Sequence, residues 1–380
     1  DGWYAVGFIA RVQAAAWMDE TTPIPRHRRG GRLRDAVAAF RPLRLLLFAA
    51  LFLALSGAGT WAIYAEFAGR ELALDARLLD GRLLAAVAAL LLVYFAADGL
   101  RLYFTMRALG CPVPLRQGVR LVFINLLFSN ITPMATGGGF AQIWFLRRQG
   151  VPIGTATAAT TVRTLLAVAF IFAATPAVLY GMEIFDGELV DRQLLPYLSA
   201  FAALYLGFFA VAVLRTRWLL VPVEALLAGL RRARLLGEPR RRRWRLRVRR
   251  ELVRFRDGFR SYLAGPPRDI LLSVLFTAVF LLSLFSFPAL LLWGLGYAVD
   301  YGTVLALLVV TTFVMYCSPT PGASGIAEGV FGHFFAGMVS AEHLVLVTLA
   351  WRFLTIFLGM GVGVFVTLAE LSSGREGERG

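Results

Sequence analysis

Two arginines, Arg163 and Arg352, lie near the middle of long apolar segments of this sequence. Each follows a break rich in Pro and Gly at almost the same distance: thirty residues separate Pro133 from Arg163, and thirty-one separate Pro321 from Arg352. A guanidinium is always charged and donates hydrogen bonds in a rigid planar fork that matches a carboxylate or a phosphate. The spacing therefore indicates an internal duplication, and the residue type predicts anion binding, with a phosphate as the guest.

The Pro and Gly residues of the two breaks are predicted to end helices. A helix that starts after such a break has unpaired N–H groups and the positive end of its dipole at its first turn, and both attract anions. Glu328 follows the second break and Gln142 follows the first, so an acid and an amide occupy matching positions. The predicted substrate-binding set comprises both arginines, these two residues, one threonine and residues of the breaks: Arg163, Arg352, Glu328, Gln142, Thr160, Pro133, Gly137, Gly138, Gly139, Pro319, Pro321, Gly322 and Gly325.

A structural interpretation competes for each charged residue. Arg352 could clamp Glu328 or the carbonyls that the second break releases, and Glu328 could either pair with Arg352 or take a proton. Asp98 and Arg101, three residues apart, could neutralise each other on one helix face, and this local pair is favoured. A charge at the bilayer centre costs at least about 2.5 to 3.5 kcal/mol and usually marks a transport pathway. Because the two central arginines are duplicated with the repeat, a functional role is favoured for Arg163 and Arg352.

Thr160 belongs to a stripe of threonines at helical spacing around Arg163. Such side chains commonly bond to their own helix or pack against a neighbouring one, which is the default interpretation. The alternative is that the stripe lines a hydrophilic groove beside the arginine.

Hydrophobic residues make up 58% of the 380 residues, far above the usual share in soluble domains, which predicts an integral membrane protein. Apolar runs of about 18 to 25 residues, long enough to cross a bilayer, predict six full spans at 44–65, 83–106, 153–180, 194–214, 269–296 and 343–369. Two interrupted regions, 117–146 and 303–337, have halves of about 15 residues, or about 22 Å of helix. Each half is too short to cross, so these regions are predicted to be re-entrant helical hairpins.

The distribution of charge predicts the orientation. All 39 basic residues are Arg, and 14 of them fall within 231–260, including the run RRRRWRLRVRR at 240–250. Basic loops face the cytoplasm, which places both termini there and makes the two hairpins enter from opposite sides. The predicted fold class is an all-α integral membrane protein with six full spans and two re-entrant hairpins in an inverted repeat, an architecture of secondary transporters.

The sequence divides accordingly into five segments. Residues 1–43 are predicted to be a cytoplasmic amino-terminal segment, of which 1–17 are interpreted as an upstream or non-native extension. The first half, a basic cytoplasmic linker with interfacial helices, the second half and a cytoplasmic tail follow at 44–214, 215–268, 269–370 and 371–380. The plasma membrane is the predicted location.

No motif of useful specificity for an enzyme occurs, so none is predicted. Two cysteines and isolated histidines at 333 and 343 predict no metal site, and no cofactor is expected. The arginine run at 240–250 could bind nucleic acid in principle, but beside two spans it is interpreted as a contact with anionic lipid head groups.

The segments NITP…GGG…LRRQGVP and SPTPGASGIAEG, the latter followed by the WRFLT helix, resemble the two signature regions of the lysylphosphatidylglycerol synthase transmembrane family. This is the flippase-like domain of multiple peptide resistance factors, and the resemblance covers about residues 40 to 370. The family usually has a Gly-Glu pair where this chain has Ala141 and Gln142, so a carboxylate expected there is absent.

The resemblance implies translocation of a phosphate-bearing lipid, such as an aminoacylated phospholipid, between leaflets. Some relatives adjoin glycosyltransferases, which makes a polyprenyl-phosphate-linked sugar the alternative cargo. A third hypothesis is a non-transporting partner of a lipid synthase. The expected partners are membrane lipids, a synthase or glycosyltransferase, and a second copy of the chain in a homodimer.

Overall fold

A computed structural model shows how these segments fold. It describes residues 75–132, 135–181 and 257–376, with single positions at 50, 54, 57, 61, 196, 199, 200, 203, 204 and 207. Within these ranges every regular element is helical. The α-helices are, in chain order, α1 Gly81–Ala108, α2 Leu115–Asn130, α3 Thr136–Arg148, α4 Ile153–Gly181, α5 Pro267–Gly294, α6 Tyr301–Cys317, α7 Ile326–Phe335, α8 Ala341–Arg352 and α9 Leu358–Glu376.

Short elements connect some of these helices. A 3-10 helix at Ala76–Leu79 precedes α1, and a second one at Pro321–Ala323 lies between α6 and α7. A π-helix at Phe353–Phe357 joins α8 to α9, so that these form one long helix with a wide turn directly after Arg352. A helical segment at 257–263 leads into α5.

Helices are confirmed at four of the six predicted spans, and they are α1, α4, α5 and the continuous α8–α9. All four are long and apolar enough to cross a membrane. The predicted spans 44–65 and 194–214 lie outside the described ranges, as do residues 1–43, the arginine run at 240–250 and residues 377–380. Each interrupted region consists of two short helices packed together, α2 with α3 and α6 with α7.

Local sequence explains where the helices start and stop. The carboxylate of Asp80 accepts from the backbone N–H of Arg82 at 2.7 Å, which caps α1, and that of Asp300 accepts from Thr303 at 2.7 Å, which caps α6. Carboxylates suit this position because they satisfy N–H groups that have no partner within the helix. Gly110 and Gly296 follow α1 and α5 with φ of 73° and 84°, a conformation that glycine adopts without strain.

The helices fall into two copies of one unit, α1–α4 and α5–α9. In each copy a 28-residue helix is followed by a short helix of 16 or 17 residues, a break, a second short helix and the long helix that carries the central arginine. The backbone of the breaks repeats as well: Ala135 and Ala323, two residues after the equivalent prolines, both have positive φ, 52° and 54°. This conformation is uncommon for alanine, so its recurrence supports the internal duplication.

The two copies run in opposite directions. Leu83 at the start of α1 lies beside Gly294 at the end of α5, where a Cβ on the glycine would lie 2.3 Å from the leucine side chain. Phe104 near the end of α1 stacks on Phe276 near the start of α5, with ring centroids 5.6 Å apart. Helices α1 and α5 are therefore antiparallel. Since they are equivalent members of the two copies, the copies are inverted relative to each other.

Contacts between the copies are reciprocal. Helix α2 of the first copy packs on α9 of the second, and α6 of the second packs on α4 of the first, where the rings of Phe172 and Phe313 lie 4.7 Å apart. Such exchange of equivalent surfaces is the signature of two-fold symmetry. The largest cluster of buried apolar residues draws on both copies and includes Phe172, Phe287, Leu292, Phe313, Phe331 and Phe335.

Helix α9 approaches α2 most closely at two glycines. A Cβ on Gly363 would lie 2.4 Å from the carbonyl oxygen of Phe123, and one on Gly359 would lie 2.6 Å from the Leu126 side chain. Small residues allow such close contact between helices in membranes. The close packing of α9 on α2 therefore depends on Gly359 and Gly363.

We expect Gly363→Ala to destabilise the protein by about 1 to 3 kcal/mol, because a Cβ 2.4 Å from a carbonyl forces the two backbones apart. Gly361→Ala on the same helix is the matched control, since a Cβ there meets nothing within 4 Å and alanine favours a helix over glycine. Thermal unfolding in detergent measures both. Equal melting temperatures for the two variants would contradict close packing of α9 on α2.

Candidate functional site

The first copy contains a buried cluster of three charges, Asp98, Arg101 and Arg163. The Arg163 Nη2 donates to both carboxylate oxygens of Asp98, at 2.6 and 2.7 Å, and the Arg101 Nε donates to the Asp98 Oδ1 at 2.5 Å. Each residue is at most 6% exposed. The favoured sequence interpretation, a local pair of Asp98 with Arg101, is thus incomplete, because the same carboxylate also binds the central arginine of α4.

Aromatic packing fixes one of these arginines from the side. The guanidinium carbon of Arg101 lies 3.9 Å from the centre of the Phe280 ring on α5, a cation–π contact that favours a desolvated cation. The Tyr94 ring stacks on the same phenylalanine at 5.0 Å, and its hydroxyl lies 3.5 Å from the carbonyl oxygen of Thr355 in the π-helix. This column of rings connects the first-copy cluster to the turn after Arg352.

The second copy contains a different arrangement around Arg352. Its Nε lies 2.8 Å from the Glu328 Oε1, and its Nη2 donates to the Gly322 carbonyl at 3.0 Å and to the Ser324 Oγ at 3.3 Å. Arginine and glutamate are 2% and 1% exposed. These are the contacts that the structural interpretation of Arg352 anticipates, an acid and a carbonyl that the Pro and Gly break has released.

Glu328 has a second task at the start of α7. Its Oε2 accepts from the backbone N–H of Gly325 at 2.8 Å, which closes the first turn of the helix. Gly325 itself has φ of 82°, and Gly322 and Ala323 in the preceding 3-10 helix also have positive φ. One carboxylate thus connects Arg352 to the amino terminus of α7 and so fixes the second break.

The first break is built differently. The prediction that Gln142 and Glu328 occupy matching positions is wrong, because Gln142 is the seventh residue of α3 and Glu328 is the third of α7. Gln142 is buried at 1% exposure, and its amide nitrogen donates to the carbonyl of Leu121 at 3.4 Å instead of pairing with a charge. The Thr132 hydroxyl accepts from the N–H of Gly137 at 2.8 Å. This contact occupies one of the N–H groups that the sequence predicted to be free at the start of α3.

The glycines of the first break do not act alike. A Cβ on Gly137 would lie 2.6 Å from the Thr132 side chain, and one on Gly138 would lie 1.9 Å from the Ser129 hydroxyl, so both allow α3 to pack on α2. A Cβ on Gly139 would meet nothing within 4 Å. Pro133 lies outside the described residues.

The remaining predicted site residues have local roles. The Thr160 hydroxyl donates to the carbonyl oxygens of Ala156 and Thr157, 3.1 and 3.0 Å away, so it bonds to its own helix. Pro321 is buried and Pro319 is exposed at the second break. The structure therefore assembles two separate charged sites, and no contact between Arg163 and Arg352 occurs among the described residues.

A polar network at one end of the helices was missed from the sequence. The His343 Nε2 lies 3.1 Å from the Asp75 carboxylate, and its Nδ1 lies 2.7 Å from the Tyr297 hydroxyl, which donates to the Ser340 Oγ at 3.1 Å. Hydrogen bonds from Arg77 hold the pKa of Asp75 well below its usual range, and the carboxylate raises the pKa of Arg77. His343, which the sequence analysis described as isolated, thus connects segments of both copies. Its partners are distant in sequence, so no local pattern predicts the contact.

Within the described ranges, no group of three or more His, Cys, Asp or Glu side chains could hold a metal ion.

Long apolar helices with ion pairs buried among them define a helical membrane-embedded protein. The family model described as "Lysylphosphatidylglycerol synthase TM region" matches residues 36–363, and the chain belongs to this family. It is also similar to a "UPF0104 membrane protein" of Archaeoglobus fulgidus, with 25% identity over 276 residues, 72% of this chain and 82% of that protein.

We expect Asp98→Asn to destabilise the protein more than Arg101→Gln. The first change leaves two buried guanidiniums without their carboxylate, and loss of one partner of a buried pair costs about 3 to 5 kcal/mol. The second change leaves Asp98 and Arg163 as a neutral pair. Thermal unfolding of both variants in the same detergent measures the difference, and an Asp98→Asn protein as stable as Arg101→Gln would show that the carboxylate does not hold the cluster together.

Proposed function

We propose that the chain moves a phosphate-bearing lipid between the two leaflets of the membrane. One observation carries this proposal: two inverted copies each contain a break between two short helices and a buried arginine on the long helix that follows the break. Discontinuous helices at the interface of inverted repeats form the substrate sites of many secondary transporters. Membership of the lysylphosphatidylglycerol synthase TM family supports a role that involves membrane lipids.

The two helical pairs enter the membrane as re-entrant hairpins in this proposal. Helices α2 and α3, with 16 and 13 residues, measure about 24 and 20 Å at 1.5 Å per residue, less than the bilayer core of about 30 Å. The start of α2 and the end of α3 meet the end of α9, because Arg120 and Arg148 both contact Glu370. The start of α6 lies at the opposite end, beside the Asp75 network.

The charges at these two ends support one orientation. Described arginines surround the first end, at Arg107, Arg116, Arg120, Arg147 and Arg148, whereas acids predominate at the second, at Asp75, Asp80, Asp300 and Glu342. The positive-inside rule makes the first end cytoplasmic. The plasma membrane, cytoplasmic termini and contact of the 240–250 run with anionic lipid heads belong to the same proposal.

The two central arginines have different roles in this scheme. Arg163 binds the head group, because its cluster carries more positive than negative charge. Arg352 is paired with Glu328 and stabilises the second break. This is the role that the structural interpretation gives to Arg352. The proposal includes a second cargo. A polyprenyl-phosphate-linked sugar, transported beside a glycosyltransferase, offers the same kind of phosphate group to Arg163. The proposal includes neither synthase activity nor a bound cofactor.

We expect Arg163→Gln to reduce lipid scrambling in proteoliposomes at least tenfold while the melting temperature changes little, because Asp98 and Arg101 remain as a neutral pair and glutamine cannot supply the charge that a desolvated phosphate needs. Arg352→Gln is the comparison: it leaves Glu328 without its cation and should cost about 3 to 5 kcal/mol of stability. Wild-type transport by a folded Arg163→Gln protein would refute the head-group role.

Labelling of single cysteines tests the orientation. In a protein without Cys111 and Cys317, a cysteine in place of Asp300 should react with an impermeant thiol reagent on intact cells. A cysteine in place of Arg148 should react only after permeabilisation. Reaction of both from the same side would contradict opposite entry of the two hairpins.

A further inference from the structure

The buried charges of the two copies do not balance in the same way. In the second copy one guanidinium, Arg352, faces one carboxylate, Glu328. In the first copy two guanidiniums, Arg101 and Arg163, face the single carboxylate of Asp98. Among the described residues, the first-copy cluster therefore carries one excess positive charge, and its three members are at most 6% exposed.

An unbalanced charge among apolar helices is costly, since desolvation penalises an ion that has no partner. Asp98 supplies one negative charge to two guanidiniums, and its two oxygens already accept three hydrogen bonds from them. Buried nitrogens of the cluster still lack an acceptor, the Arg101 Nη1 and the Arg163 Nε. In the second copy the Arg352 Nη1 also lacks an acceptor, and the Arg352 Nε and Glu328 Oε1, 2.8 Å apart, form an ion pair without hydrogen-bond geometry. That pair is neutral, so charge and not the number of unpartnered nitrogens distinguishes the two sites.

Tyr316 of α6 lies within electrostatic range of the cluster, since its hydroxyl is influenced by the charges of Asp98, Arg101 and Arg163. The residue stands in the last turn before the second break and is 47% exposed, although protein surrounds its hydroxyl. In the inference that follows, a ligand approaches the cluster from this residue.

The geometry points to a binding site for one phosphodiester monoanion at Arg101 and Arg163, built in the first copy and absent from the second. It rests on the proposed function and identifies the cargo's chemistry. A phosphodiester carries a single negative charge, which neutralises the cluster, and it has two non-bridging oxygens, the same number as the unpartnered nitrogens Arg101 Nη1 and Arg163 Nε. A phosphomonoester dianion or a diphosphate would reverse the imbalance and leave excess negative charge in a low-dielectric region.

Two kinds of lipid carry this group. Diacyl glycerophospholipids whose phosphate is esterified to a head group, and polyprenyl-phosphate-linked sugars, are phosphodiesters, whereas phosphatidic acid and polyprenyl diphosphates are not. The positive amines of an aminoacylated head group would require a carboxylate of their own, and Asp98 is already occupied. The site thus recognises the phosphodiester and leaves the rest of the head group to other contacts.

Native mass spectrometry of the purified chain tests this selectivity. At about pH 8, above the second ionisation of a phosphomonoester near 6, four lipids are added separately: phosphatidylglycerol, a polyprenyl-phosphate hexose, phosphatidic acid and a polyprenyl diphosphate. We expect one equivalent of a phosphodiester lipid to be retained at least tenfold more tightly than either of the others, and the better of the two phosphodiesters identifies the source. Equal retention of phosphatidic acid, or no retained phosphodiester, would overturn the inference.

Variants locate the site. Arg101→Gln should reduce phosphodiester retention at least tenfold and Arg101→Lys should restore part of it, while Arg82→Gln, the same charge change at an exposed position of the same helix, should have no effect. Retention by Arg101→Gln at the wild-type level would place the lipid elsewhere. Because the lipid comparison uses the wild-type protein, a variant that fails to fold does not leave the inference untested.

A parallel scrambling assay separates this inference from the proposed function. Retention that depends on Arg101 in a protein that scrambles no lipid supports the site and refutes transport. Scrambling that is unaffected by Arg101→Gln supports transport and refutes the site. Loss of both in the variant supports both.

Discussion

Local neutralisation of charge in a low-dielectric interior is the constraint on which this structure depends. Asp98 on α1 can satisfy Arg163 only if α4 lies beside α1, and Arg101 can lie over Phe280 only if α5 covers the same face. Because an isolated buried charge is far more costly than a misplaced apolar contact, these contacts specify how the long helices pack. Apolar burial stabilises the packing, but many arrangements of leucine and phenylalanine would bury a similar area.

The duplication has kept the backbone and changed the charges. Both breaks retain an alanine with positive φ, and both copies retain the central arginine. The counter-ion, however, comes from α1 in the first copy, as Asp98, and from the start of α7 in the second, as Glu328. The first turn of α3 contains no acid that could replace Glu328. Inverted copies that share a fold therefore neutralise their central arginines in different ways.

The sequence was sufficient for features that follow from length and composition. The long helices, the two breaks and the central arginines were predicted because apolar run length, Pro and Gly spacing and charge are local properties. The partner of Arg163 was not predicted, because Asp98 is 65 positions away from it. Arg101, only three residues from Asp98, already satisfied the helical spacing of an ion pair. The His343 network and the π-helix after Arg352 were also missed, because each depends on contacts between distant segments.

Contacts along the second copy connect the second break to helix α2 of the first copy. Arg352 holds the carbonyl of Gly322 at one break and is followed directly by the π-helix, a wide turn that is frequent at functional sites. Helix α9 then continues to Gly363, which packs on α2, the first helix of the other hairpin. A displacement of Arg352 relative to α7 would therefore move the surface on which the first hairpin rests. The inverted arrangement repeats this contact between α6 and α4. A shift of α2 would therefore require repacking of α9, and a shift of α6 would require repacking of α4.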